Sequence, residues 1–242
     1  MGMDKRLTQA QLVVLLEQQT KELWQAAGEI GRSEERLRRA QEQWVARFLR
    51  AARFKDDETA SHIERMSRYC ELLARDVLND SERAYEMGLA SKLHDIGKVG
   101  IPDAILLKAG PLTPEETDTM RTHTSIGYGI LAGESGRLVD VAATIALGHH
   151  ERWEGGGYPT GLSGTPIPIE CRIAAIADTF DALTTNRIYR KAYLLPEALQ
   201  LMRAERGRQF DPNLLDRFFA LMDQVMGIFH DYPDEGPVGY AL

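Results

Sequence analysis

The sequence predicts an all-α fold. Apolar residues recur at three- and four-residue spacing through most of the chain, and no stretch alternates apolar and polar residues as a half-buried strand would. Helix-start signals stand ahead of the apolar runs. Thr113-Pro114-Glu115-Glu116 is a capping box with proline at the first helical position, and Asp211-Pro212 opens a last long helix.

The elements follow in order. Residues 5–50 are rich in Gln, Glu, Arg, Leu and Ala and contain no proline. Leu16, Leu23, Ile30, Leu37 and Trp44 recur every seven residues, which is one seam position of a heptad. The second seam, Gln19, Ala26, Ser33, Ala40 and Arg47, is poor. Gly28 and Gly31 each weaken the middle by roughly 1 kcal/mol against alanine, and Ser33 is placed to cap a fresh helix. Residues 1–50 thus read as a coiled-coil-like helical linker that pairs weakly with a second copy, giving a homodimer. The alternative is an amphipathic helix folded back on the domain.

Residues 51–242 read as a helical domain. Residues 56–78 carry Ile63, Met66, Tyr69, Cys70 and Leu73 at helical spacing. Ser81 starts a helix predicted to run through Leu89, Leu93 and Ile96. Residues 136–150 and 168–184 are further apolar-periodic runs. The last helix carries Leu214, Leu215, Phe218, Phe219, Met222 and Val225.

Composition sets limits on function. The 242 residues are 43% hydrophobic and 27% charged, with a formal net charge of −7. That argues against a nucleic-acid partner but leaves room for a small anionic substrate in a local cationic pocket. Cys70 and Cys171 stand far apart and read as buried thiols of a reducing compartment. No apolar run approaches the ~20 residues of a membrane span, and MGMDKRLT lacks a signal-peptide core. A cytoplasmic protein is expected.

Five of the six histidines, His62, His94, His123, His149 and His150, fall in the helical domain at element ends or beside glycine. His149 and His150 are adjacent, and His94 is followed by Asp95. A single histidine reads best as an ordinary hydrogen-bonded residue. Five together with carboxylates suit a first-row divalent metal, and the lack of thiolate spacing excludes a zinc finger. In "LHDIGKVGIPDAIL", Gly97 permits close approach of another element. Lys98, one turn beyond His94, is placed to bind phosphate or donate a proton, or else to sit solvated at a helix C-terminus. Asp178 and Asp181 lie three apart on an otherwise apolar helix, and a buried acid must be paired or bind metal. Arg187 and Arg190 suit phosphate oxygens, or else neutralise one of those aspartates. After the paired histidines, "ERWEGGGYPTGL" turns sharply on its glycines and stiffens at Pro159, as a lip beside the histidines would.

The ordered set HD-x-x-K, HH, GYP, D-x-x-D-A-L-T and R-x-Y-R, from about Asp56 to Tyr232, resembles the HD-GYP family of bacterial cyclic di-GMP phosphodiesterases within the HD metal-phosphohydrolases. The resemblance implies a helical HD-type bundle and metal-assisted hydrolysis of a 3′,5′-phosphodiester to pGpG or GMP. It also implies two or three divalent ions, iron or manganese, held by His62, His94, Asp95, His123, His149, His150 and Asp178, with Asp95 bridging. Glu58 matches a glutamate of three-metal members. Lys98 matches the lysine beside the substrate phosphate. Gly157, Tyr158 and Pro159 match the signature loop, which also docks partner proteins, and Arg187 and Arg190 match substrate-contacting positions. One departure is Glu154-Gly155, where the family carries Asp-Gly. A hybrid cyclic GMP–AMP substrate, a general nucleotide phosphatase and a non-catalytic signalling module are the rival readings.

Overall fold

The computed structural model describes residues 9–53, 55, 59–133, 136–186 and 191–234, with side chains from residue 16 onward. Regular structure among them is helical, and the sole strand-like feature is one isolated bridge between Arg206 and Phe210. The all-α expectation holds. The chain divides into two units, Met1–Trp44 and Val45–Leu242.

The described part of the first unit lies within helix α1, Gln9–Ala52. No new helix starts at Ser33. A glycine costs only about 1 kcal/mol, too little to break a helix of 44 residues. Side-chain pairs one turn apart, such as Gln18–Glu22 at 2.9 Å and Glu35–Arg39 at 2.8 Å, add support. Leu16, Leu23, Ile30 and Leu37 are 59–71% exposed.

The second unit contains α2 (Ala60–Leu78), α3 (Ser81–Ser91), a 3-10 turn (Ile96–Gly100) and α4 (Asp103–Leu106). There follow α5 (Pro114–Arg121), α6 (His123–Leu131), α7 (Arg137–Gly148), α8 (Ile169–Thr184), α9 (Leu195–Ala204), α10 (Pro212–Ala220) and α11 (Met222–Asp231). Helix α2 is central: α3, α8, α10 and α11 all pack on it. Its stripe of Ile63, Met66, Tyr69, Cys70 and Leu73 is buried as predicted. Tyr69 meets Phe180 of α8 edge-on at 5.4 Å, and Phe180 meets Phe218 of α10 at 5.2 Å, geometries that favour aromatic pairs. The free thiols Cys70 and Cys171 are buried, which pushes both up to about 12.

Three helix boundaries differ from the sequence reading. Helix α2 begins at Ala60, where the Thr59 hydroxyl accepts from the His62 amide at 3.1 Å. Helix α3 stops at Ser91, so Leu93 and Ile96 are buried outside it. There the backbone tightens to i→i+3 bonds, His94 to Ser91, Ile96 to Leu93 and Lys98 to Asp95. The last helix divides at Leu221.

The predicted capping box at α5 is complete: Thr113 Oγ1 accepts from the Glu116 amide at 3.2 Å, and Glu116 Oε2 accepts from the Thr113 amide at 2.7 Å. Thr113→Ala is expected to cost about 1 kcal/mol, read as a lowered urea midpoint with unchanged slope. An unchanged midpoint would mean that tertiary packing alone holds this short helix.

Candidate metal centre

Helix ends deliver the histidines. His62 lies in the first turn of α2, His123 opens α6, His149 caps the C-terminus of α7, and His150 follows it. His94 and Asp95 occupy the tight turn between α3 and the 3-10 turn, and Asp178 comes from α8. Gly97 makes this convergence possible. A Cβ there would stand 1.9 Å from the His123 carbonyl oxygen and 2.4 Å from the Gly127 nitrogen.

Four imidazoles are oriented through Nδ1. It faces the carbonyl oxygen of Ser91 for His94 (3.0 Å), of Met120 for His123 (2.8 Å) and of Ile145 for His149 (2.9 Å). For His62 the partner is the Asp181 carboxylate, at 2.8 Å. A proton held on Nδ1 leaves the Nε2 lone pair for a ligand, the usual preparation of a metal-binding histidine.

The donors form two groups, Asp95–His123–His149–His150 and His62–His94–Asp178, within each of which the ligand atoms lie within 4.8 Å of one another. Asp95 touches both. Its Oδ1 is 3.1 Å from His123 Nε2 and 3.5 Å from His149 Nε2, while its Oδ2 is 3.4 Å from His94 Nε2 and 2.7 Å from Lys98 Nζ. Asp95 Oδ1, His123 Nε2 and His149 Nε2 are buried without a hydrogen-bond partner. Orphaned polar atoms are costly in a protein interior. Imidazole and carboxylate donors aimed at a common space fit divalent cations.

The electrostatics agree. Burial pushes Asp95 toward its neutral form, but Lys98, His94, His123 and His149 outweigh burial and hold it well below the usual carboxylate range. Burial likewise opposes ionisation of Asp178, and His94 and His62 reverse that, lowering it. Burial, then His149, depresses His150 to about 2, so its ring is neutral and ligand-ready.

The glycine loop closes one side. The Tyr158 ring stacks on His150 at 4.7 Å, and the Arg121 guanidinium lies 5.3 Å from the Tyr158 ring centroid. Gly157 admits no side chain, since a Cβ would come within 2.6 Å of the His150 oxygen and the Glu151 Cα. Glu154, the family departure, pairs with Arg152 at 3.0 Å and with Arg208 at 3.6 Å in a part-exposed ion network.

Sequence reasoning missed two supports. Buried Glu151 accepts from the amides of Thr160 (2.7 Å) and Gly161 (3.1 Å), tying the loop to the histidine pair. Its position directly after the paired histidines was the available signal. Arg65, also buried, pairs with Asp181 at 2.6 Å. A structural acid–arginine pair was expected, but with Arg187 or Arg190. Those two arginines and Glu58 lie outside the described residues. Lys98 is an ion partner of Asp95 in a 3-10 turn, not a solvated helix terminus.

A family model described as "HD domain" matches residues 41–214. The chain is 43% identical over 188 residues to the cyclic di-GMP phosphodiesterase response regulator RpfG of Xanthomonas campestris, covering 76% of this chain and 50% of that protein. It is 40% identical over 182 residues to a cyclic di-GMP phosphodiesterase of Thermotoga maritima, covering 75% and 50%. It is 39% identical over 198 residues to the 3′3′-cGAMP-specific phosphodiesterase 2 of Vibrio cholerae, covering 82% and 38%. The chain therefore spans half or less of the length of these relatives. Among solved structures, the HD domain of the L. monocytogenes phosphodiesterase PgpH, in complex with cyclic-di-AMP, superposes with a TM-score of 0.54 at 20% identity, covering 78% of this chain and 99% of that one. This likeness shows the fold.

Proposed function

The chain belongs to the HD domain family, and from that premise we propose that it hydrolyses the 3′,5′-phosphodiester bonds of cyclic di-GMP, yielding pGpG or GMP. One observation carries the reading: the Asp95 carboxylate presents one oxygen to each of two converging donor groups. A module that only bound partners would gain nothing from such a set of buried, unsatisfied atoms. The relatives named above as cyclic di-GMP phosphodiesterases supply the substrate.

His62, His94, Asp95, His123, His149, His150 and Asp178 would hold the ions. Their imidazole and carboxylate donors suit iron or manganese. Bound divalent ions supply Lewis-acid polarisation of a phosphoryl oxygen and a water of lowered pKa. The chain's own residues do the rest. Lys98 Nζ, held at 2.7 Å by Asp95, offers positive charge to the phosphoryl group and a proton to the leaving 3′ oxygen. Asp95 and Lys98 also line a small cavity with Arg53 and Lys92. Gly157, Tyr158 and Pro159 form the lip that holds the substrate and a docking edge for partner proteins. Arg187 and Arg190 would orient the dinucleotide, and Glu58 would hold a third ion.

A hybrid cyclic GMP–AMP dinucleotide is the second reading, because a relative at 39% identity is named as specific for 3′3′-cGAMP. Anaerobic purification, elemental analysis and product identification with both dinucleotides test the proposal. Metal-dependent release of pGpG or GMP from cyclic di-GMP is expected. A fully metal-loaded protein that cleaves neither dinucleotide would overturn it. In Glu58→Ala the same elemental analysis should show one ion fewer per chain, with the others kept.

The linker belongs to the same proposal. Leu16, Leu23, Ile30 and Leu37, exposed at heptad spacing, would pair with a second copy, so deleting residues 1–45 should weaken self-association in sedimentation and leave metal binding intact. A reducing, cytoplasmic setting is proposed from the two buried free thiols. Among the described residues no helix is long and apolar enough to cross a membrane.

A further inference from the structure

Asp181 lies one helical turn beyond the donor Asp178 and belongs to neither donor group. Its side chain is fully buried. Its Oδ1 accepts from Arg65 Nε at 2.6 Å, and its Oδ2 faces both Arg65 Nη2 at 3.0 Å and His62 Nδ1 at 2.8 Å. A two-pronged guanidinium contact fixes the plane of a carboxylate. Here that plane fixes the His62 ring. Among the described imidazoles of the centre, His94, His123 and His149 meet backbone carbonyls through Nδ1, whereas His62 meets a carboxylate. A carboxylate behind an imidazole makes it a stronger donor than a carbonyl does.

A buried arginine must have its donors satisfied. Arg65, 1% exposed, uses Nε and Nη2 on Asp181. The segment after α11 supplies partners for Nη1: the Tyr232 carbonyl oxygen at 2.7 Å and Asp234 Oδ1 at 2.9 Å. The Ser61 hydroxyl, one residue before His62, donates to the Pro233 carbonyl oxygen at 2.8 Å and seats the same segment. An unbroken line of contacts thus runs from residues 232–234 through Arg65 and Asp181 to His62.

We propose that Asp181 and Arg65 are positioning residues for an ion held by His62, His94 and Asp178, and that residues 232–234 are a strap that locks them in place. The proposal rests on the metal-centre reading above. It makes the affinity of one ion, and not the other, depend on a segment at the far end of the domain's sequence. A purely structural pair joining α2 to α8 would instead change stability and leave both ions alike.

The test is Mn2+ binding by the full chain in competition with a chelator, with helical content followed by circular dichroism. Asp181→Asn is expected to weaken one of the two sites about 10- to 100-fold, the usual cost of losing the partner of a metal-bound histidine, and to leave the other unchanged. In a His62→Ala background Asp181→Asn should add no further loss, since the two act through one ring. Arg65→Lys keeps the buried charge without the fork and should weaken the same site. Asp234→Ala lies at the half-exposed end of the line and should weaken that site about 2- to 5-fold, as befits a part-exposed ion pair. Unchanged Mn2+ affinity at both sites in folded Asp181→Asn and Arg65→Lys proteins would overturn the inference. Unchanged affinity in Asp234→Ala alone would overturn the role of the strap. A wild-type chain that binds no Mn2+, Fe2+ or other divalent ion would overturn the metal centre itself.

Discussion

Asp95→Asn is expected to remove phosphodiesterase activity beyond the roughly 100-fold loss that follows when a residue merely orients a ligand, and to strip metal from both donor groups while the helices remain. The substitution keeps size and shape. It removes the negative charge that Lys98, His94, His123 and His149 together stabilise, and it leaves those cationic or ligand-ready groups facing a neutral amide. One carboxamide oxygen cannot serve both sides, and the amide nitrogen would aim protons at a Lys98 ammonium 2.7 Å away or at the Nε2 atoms of His123 and His149, 3.1 and 3.5 Å away. Elemental analysis and turnover of cyclic di-GMP on the same preparation give the readouts, with circular dichroism as the fold control. A folded Asp95→Asn protein with wild-type metal content and turnover would sink the idea that one carboxylate joins the two groups.

The donor residues were legible in the sequence because their chemistry is scarce. Adjacent histidines, a histidine fused to aspartate, and an acid inside an apolar helix have few structural uses, and the structure brings all seven described donors together. Glycine was legible for the same reason: Gly97 and Gly157 each lie where backbone from another segment leaves no room for a Cβ. What stayed hidden depends on long-range pairing or on local geometry with an ambiguous period. Asp181 was read as an acid needing a cation, but its partner Arg65 lies 116 residues away on another helix, beyond any local pattern. The end of α3 was misplaced because Leu93 and Ile96, spaced by three, fit a 3-10 turn as well as an α-helix. That difference matters, since the tight turn is what carries His94 and Asp95 to the centre.

Gly97→Ala is expected to be the most damaging single-methyl change in the domain. The added Cβ meets backbone, not a flexible side-chain end: the His123 carbonyl oxygen at 1.9 Å, the Gly127 nitrogen at 2.4 Å and the His123 carbonyl carbon at 2.8 Å. Relief requires the 3-10 turn and α6 to part by about 1.5 Å, from 1.9 Å to an ordinary contact of 3.4 Å. The turn is flanked by Asp95 and contains Lys98, and α6 opens with His123, so the same movement pulls Asp95 Oδ1 from its place 3.1 Å from His123 Nε2. Stability should fall by about 3 kcal/mol or more, at or past the upper end for overpacking. Activity should fall by about 100-fold or more even in the folded fraction, as for a comparable misplacement of reacting groups. Gly129→Ala is the control. It lies on the same helix, a Cβ there meets nothing within 4 Å, and alanine is the better helix former by roughly 1 kcal/mol, so that variant should be as stable as wild type or more so. Urea unfolding of the two variants, with metal content measured on each, separates the outcomes. If Gly97→Ala matched Gly129→Ala in stability and kept its metal, the close approach of these two backbones would not be what assembles the centre.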